Sequence, residues 1–397
     1  MVQIAWLGKK SPFCGNVSYG LSTTKALRSR GHQTHFIHFD TPHSPERNGI
    51  SLLANDPDVS LPYLVKSQVY TIPSPRAQRE LRDSLERLKP DLVHASLTLS
   101  PLDFRLPELC QQLSVPLVAT FHPAFDSGLR NLTAGTQQLT YQLYAPALAR
   151  YDRVIVFSQL QADVLIKLGV PAKRLAVIPN GVDTDLWSPA SPGTASLLQR
   201  SVRERLGKER IFLYMGRLAT EKNVEALLRA WRLVSPEGCR LVVVGDGPLS
   251  STFQNQFNDP QILWWGYEPD LETRVALLQC AEVFLLPSLV EGLSLALLEA
   301  MATGTACVAT DAGADGEVLA GGAGIVMKTQ EVTTQLRTLL PVLRDQPVLT
   351  AALGRGARKR ALERYTLSGN IDAIERLYEE LIHSNSLATL HSQAKST

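Results

Sequence analysis

"IPNGVDTDLWSPASPGTASLL", residues 178–198, breaks an otherwise regular alternation of short apolar runs and helical stretches. It is rich in Pro, Gly and Ser, the composition of a connection rather than of a packed element. A domain linker is therefore expected near residues 183–200. On its N-terminal side, "VQIAWLG", "HQTHFIHF", "DLVHAS", "PLVATFH" and "RVIVFS" read as strands separated by helices. On its C-terminal side the rhythm restarts with "RIFLYMGRL", "RLVVVGDGP", "ILWWGY", "EVFLLPS", "ACVAT" and "GIVM". Helices are expected at 222–234, 270–280 and 293–303, with a last one beginning near 366. Near-continuous apolar strands alternating with helices imply parallel sheets covered on both faces. The expected fold is α/β, two doubly wound, Rossmann-like domains facing across a cleft, 1–186 and 200–365. Ligands in such sheets bind beyond the carboxyl ends of the strands, and every candidate motif falls at such an end.

The bulk composition sets limits. A chain of 397 residues suits two domains of ordinary size. A net charge of +2 argues against nucleic-acid binding driven by bulk charge. The five cysteines, at 14, 110, 239, 280 and 307, show no zinc-like spacing and read as reduced thiols. "DTD" at 183–185 looks like a carboxylate metal motif but lacks a third ligand nearby, so no metal is expected. No uninterrupted apolar run reaches the length of a membrane span. A mildly basic N-terminal half and the helix with Arg76, Arg79, Arg82, Arg87 and Lys89 could meet an anionic membrane. A solvated helix face packed on the sheet is the better account of the helix cations.

Five stretches could carry chemistry. In "MGRLATEKN", Arg217 and Lys222 follow a strand and Gly216, where the next helix begins. Helix N-termini disfavour cations, so two of them there suggest a bound anion such as a diphosphate, with a solvated basic pair at the helix start as the equal alternative. "VVVGDGP" runs a buried strand into Gly245 and Asp246. A tight turn explains it first, and close approach to a ring or phosphate second. In "LPSLVEGLSLALLEAMATG", Glu291 sits in a strand-to-helix loop and Glu299 inside the helix, roughly 12 Å further along. The amides of Gly292, Leu293, Ser294 and Leu295 lie between them at a helix N-terminus. Two carboxylates flanking a positive helix end suit a molecule with hydroxyls at both ends and phosphates between them. A capping Glu and a satisfied core Glu form the bland alternative. "GKKSPFCGNVSYG" offers Gly15 before the first helix but no strict G-x-G-x-x-G, which counts against a nicotinamide oxidoreductase. His122 ends a buried strand, and His94 ends another with a weaker claim to function.

"GRLATEKN", "VGDGP", "EGLSLALLEAMATG" and "IPNGVD", in this chain's order, resemble the family 4 retaining glycosyltransferases of GT-B fold. The resemblance implies that Arg217 and Lys222 hold the donor diphosphate, that Glu291 contacts the donor sugar and Glu299 the ribose. It assigns the amides of Gly292–Leu295 to sugar and phosphate, His122 to the donor sugar, and Gly15, Gly216, Gly245, Asp246 and Tyr267 to the donor pocket. His122, Arg217, Lys222 and Glu291 form the implied catalytic group. No cofactor or metal is implied, since the nucleotide-sugar is a substrate. The terminal helix, 366–383, would pack back on the N-terminal domain. Cys14 stands where the family commonly has one Gly of a pair, so the role of that loop stays open. "IAWLGKKSPFCGNVSYG", "PDLVHASLTLSPLDF" and the run from Thr120 to Gln161 look like the cyanobacterial digalactosyldiacylglycerol synthases. That likeness implies UDP-galactose as donor, a galactolipid acceptor, and a peripheral position on the cytoplasmic face of a thylakoid or plasma membrane. A nucleotide-sugar binder without turnover is the rival expectation.

Overall fold

The computed structural model describes residues 1–11, 15–40, 58–67, 70–124, 132–191, 193 and 195–394. Cys14 lies outside them. The chain divides into two compact units. The first comprises 1–123, 139–179 and 368–397; the second comprises 124–138 and 180–367.

The first unit is built on a seven-stranded parallel sheet. Its strands are β1 (Gln3–Gly8), β2 (Gln33–Phe39), β3 (Val59–Leu61), β6 (Leu92–Ser96), β7 (Leu117–Thr120), β8 (Arg153–Val156) and β9 (Leu175–Val177). A two-stranded antiparallel ladder, β4 (Tyr63–Lys66) and β5 (Thr71–Pro73), stands apart. The sheet order β3-β2-β1-β6-β7-β8-β9 reverses direction between β1 and β6. β6 is buried at every position, which is why its sequence is a continuous apolar run apart from His94 and Ser96. The helix Gly15–Ser29 ends as expected at Gly31, whose φ of +87° a Cβ would strain. In the helix Ala77–Leu88, Leu81 and Leu85 face the core, while Arg79 and Arg82 stand four residues before Asp83 and Glu86 on the open face. The solvated-face reading of those arginines is the one the contacts favour.

The second unit has a six-stranded parallel sheet: β10 (Arg210–Met215), β11 (Cys239–Val244), β12 (Ile262–Gly266), β13 (Val283–Leu286), β14 (Ala306–Thr310) and β15 (Ile325–Met327). Its order is β12-β11-β10-β13-β14-β15, so the direction reverses between β10 and β13. Val224, Leu227, Leu228 and Trp231 recur at helical spacing on Val224–Val234 and are buried there, with Trp231 edge-on to Phe212 of β10.

The change of unit occurs at Pro179–Asn180, ahead of the expected linker. Asn180 Nδ2 donates to the Leu293 carbonyl at 3.1 Å, and Val182 N donates to the Tyr365 carbonyl at 2.9 Å. Trp187 is 4% exposed. The first part of the Pro- and Gly-rich stretch, Asn180 to Trp187, is thus packed onto the second unit, although its composition is that of a loop. Asp183 is part of this: its Oδ1 accepts from Asp185 N and Leu186 N, both at 3.1 Å, which makes "DTD" a turn.

Candidate functional site

The reversal between β10 and β13 is where an α/β sheet opens a crevice at its carboxyl edge. β10 runs out into Gly216 and Arg217, then into a single 3-10 turn, Thr220–Lys222. The expected helix begins only at Val224, because Asn223 adopts φ +50° and breaks the path. Beside it, β13 runs into Pro287, Ser288 and the loop that carries Glu291. Leu289 N donates to the Glu221 carbonyl at 2.8 Å and ties the two strand exits together.

This tie brings Lys222 against Glu291. Lys222 Nζ lies 2.6 Å from Glu291 Oε1, and Ser288 Oγ donates to the same oxygen at 2.7 Å. Their side chains are 23% and 9% exposed. Burial works against the Lys222 charge, but the Glu291 carboxylate more than offsets it and holds the ammonium pKa above its ordinary value. Arg217 is exposed, 3.6 Å from Glu221, and therefore loosely held. Its carbonyl accepts from the buried Tyr214 hydroxyl at 2.7 Å, which fixes the backbone rather than the guanidinium.

The helix after Glu291 runs Leu295–Ala302, with Ser294 as its N-cap; Ser294 Oγ accepts from Leu297 N at 3.3 Å. The amides of Leu295 and Ala296 are those a helix cannot satisfy internally. Ser294 departs from the expectation of a free row of amides. Its N–H already donates to Asp315 Oδ1 at 3.0 Å, so it is committed within the protein. Asp315 is buried, and burial followed by the nearby Glu291 carboxylate pushes its pKa well above the usual carboxylate range.

Glu299 lies on the same helix and is half-buried. Burial raises its pKa to about 7, opposed by Arg274. Arg274 Nε is itself buried without a hydrogen-bond partner. Among the described residues, Glu291 has a salt bridge to Lys222, whereas Arg274 acts on Glu299 through its charge.

"VVVGDGP" resolves in favour of backbone packing. A Cβ on Gly245 would fall 1.9 Å from the Gly216 carbonyl oxygen, and one on Gly247 would fall 2.4 Å from that of Leu218. Gly216 N donates to Val244 O and Leu218 N to Asp246 O, each at 2.9 Å. The glycines let the two strand exits lie against each other. Asp246 is exposed and caps its own turn through Gly247 N at 2.7 Å. Tyr267 is 60% exposed just past β12.

In the first unit, the two histidines separate cleanly. His94 is fully buried, stacked on Trp6 and bonded to Thr120 Oγ1 at 2.7 Å and to the Tyr378 hydroxyl of the last helix. Both nitrogens are used, and burial pushes its pKa down to about 3. It is a core residue. His122 is partly open. Its Nε2 meets Ser96 Oγ at 2.8 Å, Ser96 Oγ donates to Asn16 Oδ1 at 2.8 Å, and Asn16 Nδ2 donates to the Leu97 carbonyl at 2.9 Å. A serine has one proton to give, so His122 carries its proton on Nε2 and leaves the Nδ1 lone pair as an acceptor. Burial, with Lys9, lowers its pKa to about 3 and keeps it neutral. Gly15 opens the helix Gly15–Ser29, and a Cβ there would meet nothing within 4 Å. Sequence reasoning missed Ser96, Asn16, Ser288, Asn180 and Asp315; His122 and Glu291 could have signalled that polar partners were needed nearby.

The family description "Glycosyl transferases group 1" matches residues 209–345, and "Glycosyltransferase Family 4" matches residues 15–186. Together they take in most of both units. The chain is a family 4 glycosyltransferase. Among curated relatives, this glycosyltransferase is 26% identical to the UDP-Gal:alpha-D-GlcNAc-diphosphoundecaprenol alpha-1,3-galactosyltransferase of Escherichia coli. That match covers 75% of this chain and 77% of the relative. It is 28% identical to the alpha-maltose-1-phosphate synthase of Mycolicibacterium smegmatis, over 62% of this chain and 68% of the relative. Among solved structures, Anabaena HepE in complex with UDP-glucose superposes with a TM-score of 0.77 at 17% identity, covering 96% of this chain and 100% of that one. The glycosyltransferase thus has the GT-B fold, as the two parallel sheets imply. Among its described residues, no group of three or more His, Cys, Asp or Glu side chains could hold a metal, and no helix is long and apolar enough to cross a membrane.

Proposed function

We propose that this glycosyltransferase moves galactose from UDP-galactose onto monogalactosyldiacylglycerol, giving digalactosyldiacylglycerol with retention at the anomeric carbon. The observation that carries the donor half is the Lys222–Glu291 contact at 2.6 Å, beside a helix N-terminus at the strand-order reversal. It puts a cation for a diphosphate and an acceptor of sugar hydroxyls side by side. Glu291 would take the sugar hydroxyls, and Glu299 the ribose. Lys222, Arg217 and the first-turn amides would take the charge that grows on the departing diphosphate. His122 keeps the sugar role that the resemblance implies, its Nδ1 accepting from a hydroxyl.

In the reaction, the bond from the anomeric carbon to the β-phosphate oxygen breaks. A bond to the acceptor hydroxyl oxygen forms on the same face, and the hydroxyl proton passes to the departing phosphate oxygen. No metal enters this account, because the chain's own cations and amides meet the charge. The galactolipid acceptor is supported by the likeness of the N-terminal segments, and a lipid-linked acceptor also figures in the name of the Escherichia coli relative. The enzyme would work at the cytoplasmic face of a thylakoid or plasma membrane without crossing it.

A second reading, a soluble sugar acceptor, is favoured by the likeness to an alpha-maltose-1-phosphate synthase. A screen of UDP-galactose, UDP-glucose and GDP-mannose against galactolipid vesicles and soluble sugars separates them. Transfer from UDP-galactose to the galactolipid is the expected result. Transfer only to soluble sugars sinks the lipid acceptor, and binding without turnover of any donor sinks the enzyme reading.

A further inference from the structure

The segment "DAGADGE", 311–317, lies outside the motifs that identify the donor half, yet it holds the loop that carries Glu291. Ala314 N donates to the Gly292 carbonyl at 2.8 Å, and Asp315 Oδ1 accepts from Ser294 N at 3.0 Å. Gly313, at φ +55°, sits so close that a Cβ would fall 2.1 Å from the Glu291 carbonyl oxygen. Asn180 Nδ2 holds the Leu293 carbonyl at 3.1 Å. In a trans peptide the carbonyl of one residue and the N–H of the next point in opposite directions. The Gly292 carbonyl, held by Ala314, therefore turns the Leu293 N–H away from the 311–317 segment. The Leu293 carbonyl, held by Asn180, turns the Ser294 N–H toward Asp315.

We infer that Asp315 is a positioning residue for the sugar end of the donor site, fixing the turn that aims Glu291 and the Gly292–Leu293 peptide. The inference rests on the donor reading above. Asp315 is 1% exposed and feels the charges of both Glu291 and Lys222. Burial and the Glu291 carboxylate push the Asp315 pKa up, and its Oδ1 accepts the Ser294 N–H whether or not the other oxygen carries a proton. Without that acceptor the Ser294 amide is orphaned in a buried turn, which the loop can relieve only by rotating peptides that face the sugar.

The test uses the full chain with UDP and UDP-galactose as probes. UDP lacks the sugar, so Asp315→Ala should bind UDP within about twofold of the wild type, while kcat/KM for UDP-galactose falls about 10- to 100-fold. Asp315→Asn, which keeps the acceptor oxygen, should recover turnover to within about threefold. Asp315→Ser, too short to reach the amide, serves as the loss variant if Asp315→Ala does not fold. Full turnover by the loss variant overturns the inference. So does an Asn variant as impaired as Ala, or a loss of UDP affinity that matches the loss of turnover. A wild-type chain that does not bind UDP overturns the donor reading itself, and the inference with it.

Discussion

The two parallel sheets reverse strand order in the same way, yet the strand exits beside the reversals are equipped differently. In the second unit they carry charge: Lys222, Glu291 and Asp315 converge within hydrogen-bonding reach of one loop. In the first unit the polar side chains bonded to one another are uncharged: His122, held neutral by burial and by Lys9, with Ser96 and Asn16. The difference teaches a division of labour on a shared scaffold. The charged exit suits stabilisation of a departing diphosphate. The uncharged relay leaves His122 Nδ1 as an acceptor that adds no charge of its own.

The largest effect should come from the charged exit. Lys222→Ala is expected to lower kcat/KM for transfer by about 1,000-fold or more, because both charge stabilisation and the setting of Glu291 are lost. A loss under tenfold would erase the contrast between the exits. Next comes His94→Ala, expected to destabilise the protein by about 2–4 kcal/mol, since it leaves a cavity against Trp6 and takes the buried Tyr378 hydroxyl's partner, while Thr120 keeps Tyr19. Denaturant unfolding measures it, and the loss should sit in stability rather than in KM. His122→Gln should do the reverse. Turnover falls about tenfold with little change in melting, and the pH–rate profile keeps its shape between pH 5 and 8, since His122 titrates below that window. A limb in that window that vanishes in the variant would show His122 titrating there, contrary to its burial.

The smallest effect concerns Glu299. Its folded pKa of about 7 is above the usual value of an unfolded glutamate, so the folded state retains a proton that the unfolded chain has lost. Stability is therefore eroded as pH rises from about 4.5 to 7, and the cost is complete above that. Glu299→Gln should gain about 1–2 kcal/mol at pH 8 relative to wild type, lose the gain by pH 4, and bind UDP more weakly. Equal stability of the two proteins at pH 8 would show that Glu299 is well solvated.

Much of this was legible from the residues. Parallel strands buried on both faces leave contiguous runs such as "RLVVVG" and "EVFLL", which any apolar count finds. Lys222 and Glu291 were readable because charges at strand exits need a reason. The partners were not. Tyr378 meets His94 across 284 positions, a separation that no local pattern spans. Asp315 lies in a run that reads as a turn, and nothing local says that its carboxyl reaches Ser294. The change of unit was misplaced because composition reports chain flexibility, not which surface Asn180 and Trp187 pack against.

The backbone contact of Gly245 against Gly216 has a practical consequence for anyone reshaping this enzyme. With φ +132° and a Cβ that would fall 1.9 Å from the Gly216 carbonyl oxygen, position 245 admits no other side chain, and Gly313 closes position 313 in the same way beneath Glu291. A library aimed at new donors should leave both untouched. Diversity belongs at the exposed neighbours Asp246 and Tyr267, where side chains can change while the two backbones stay in contact.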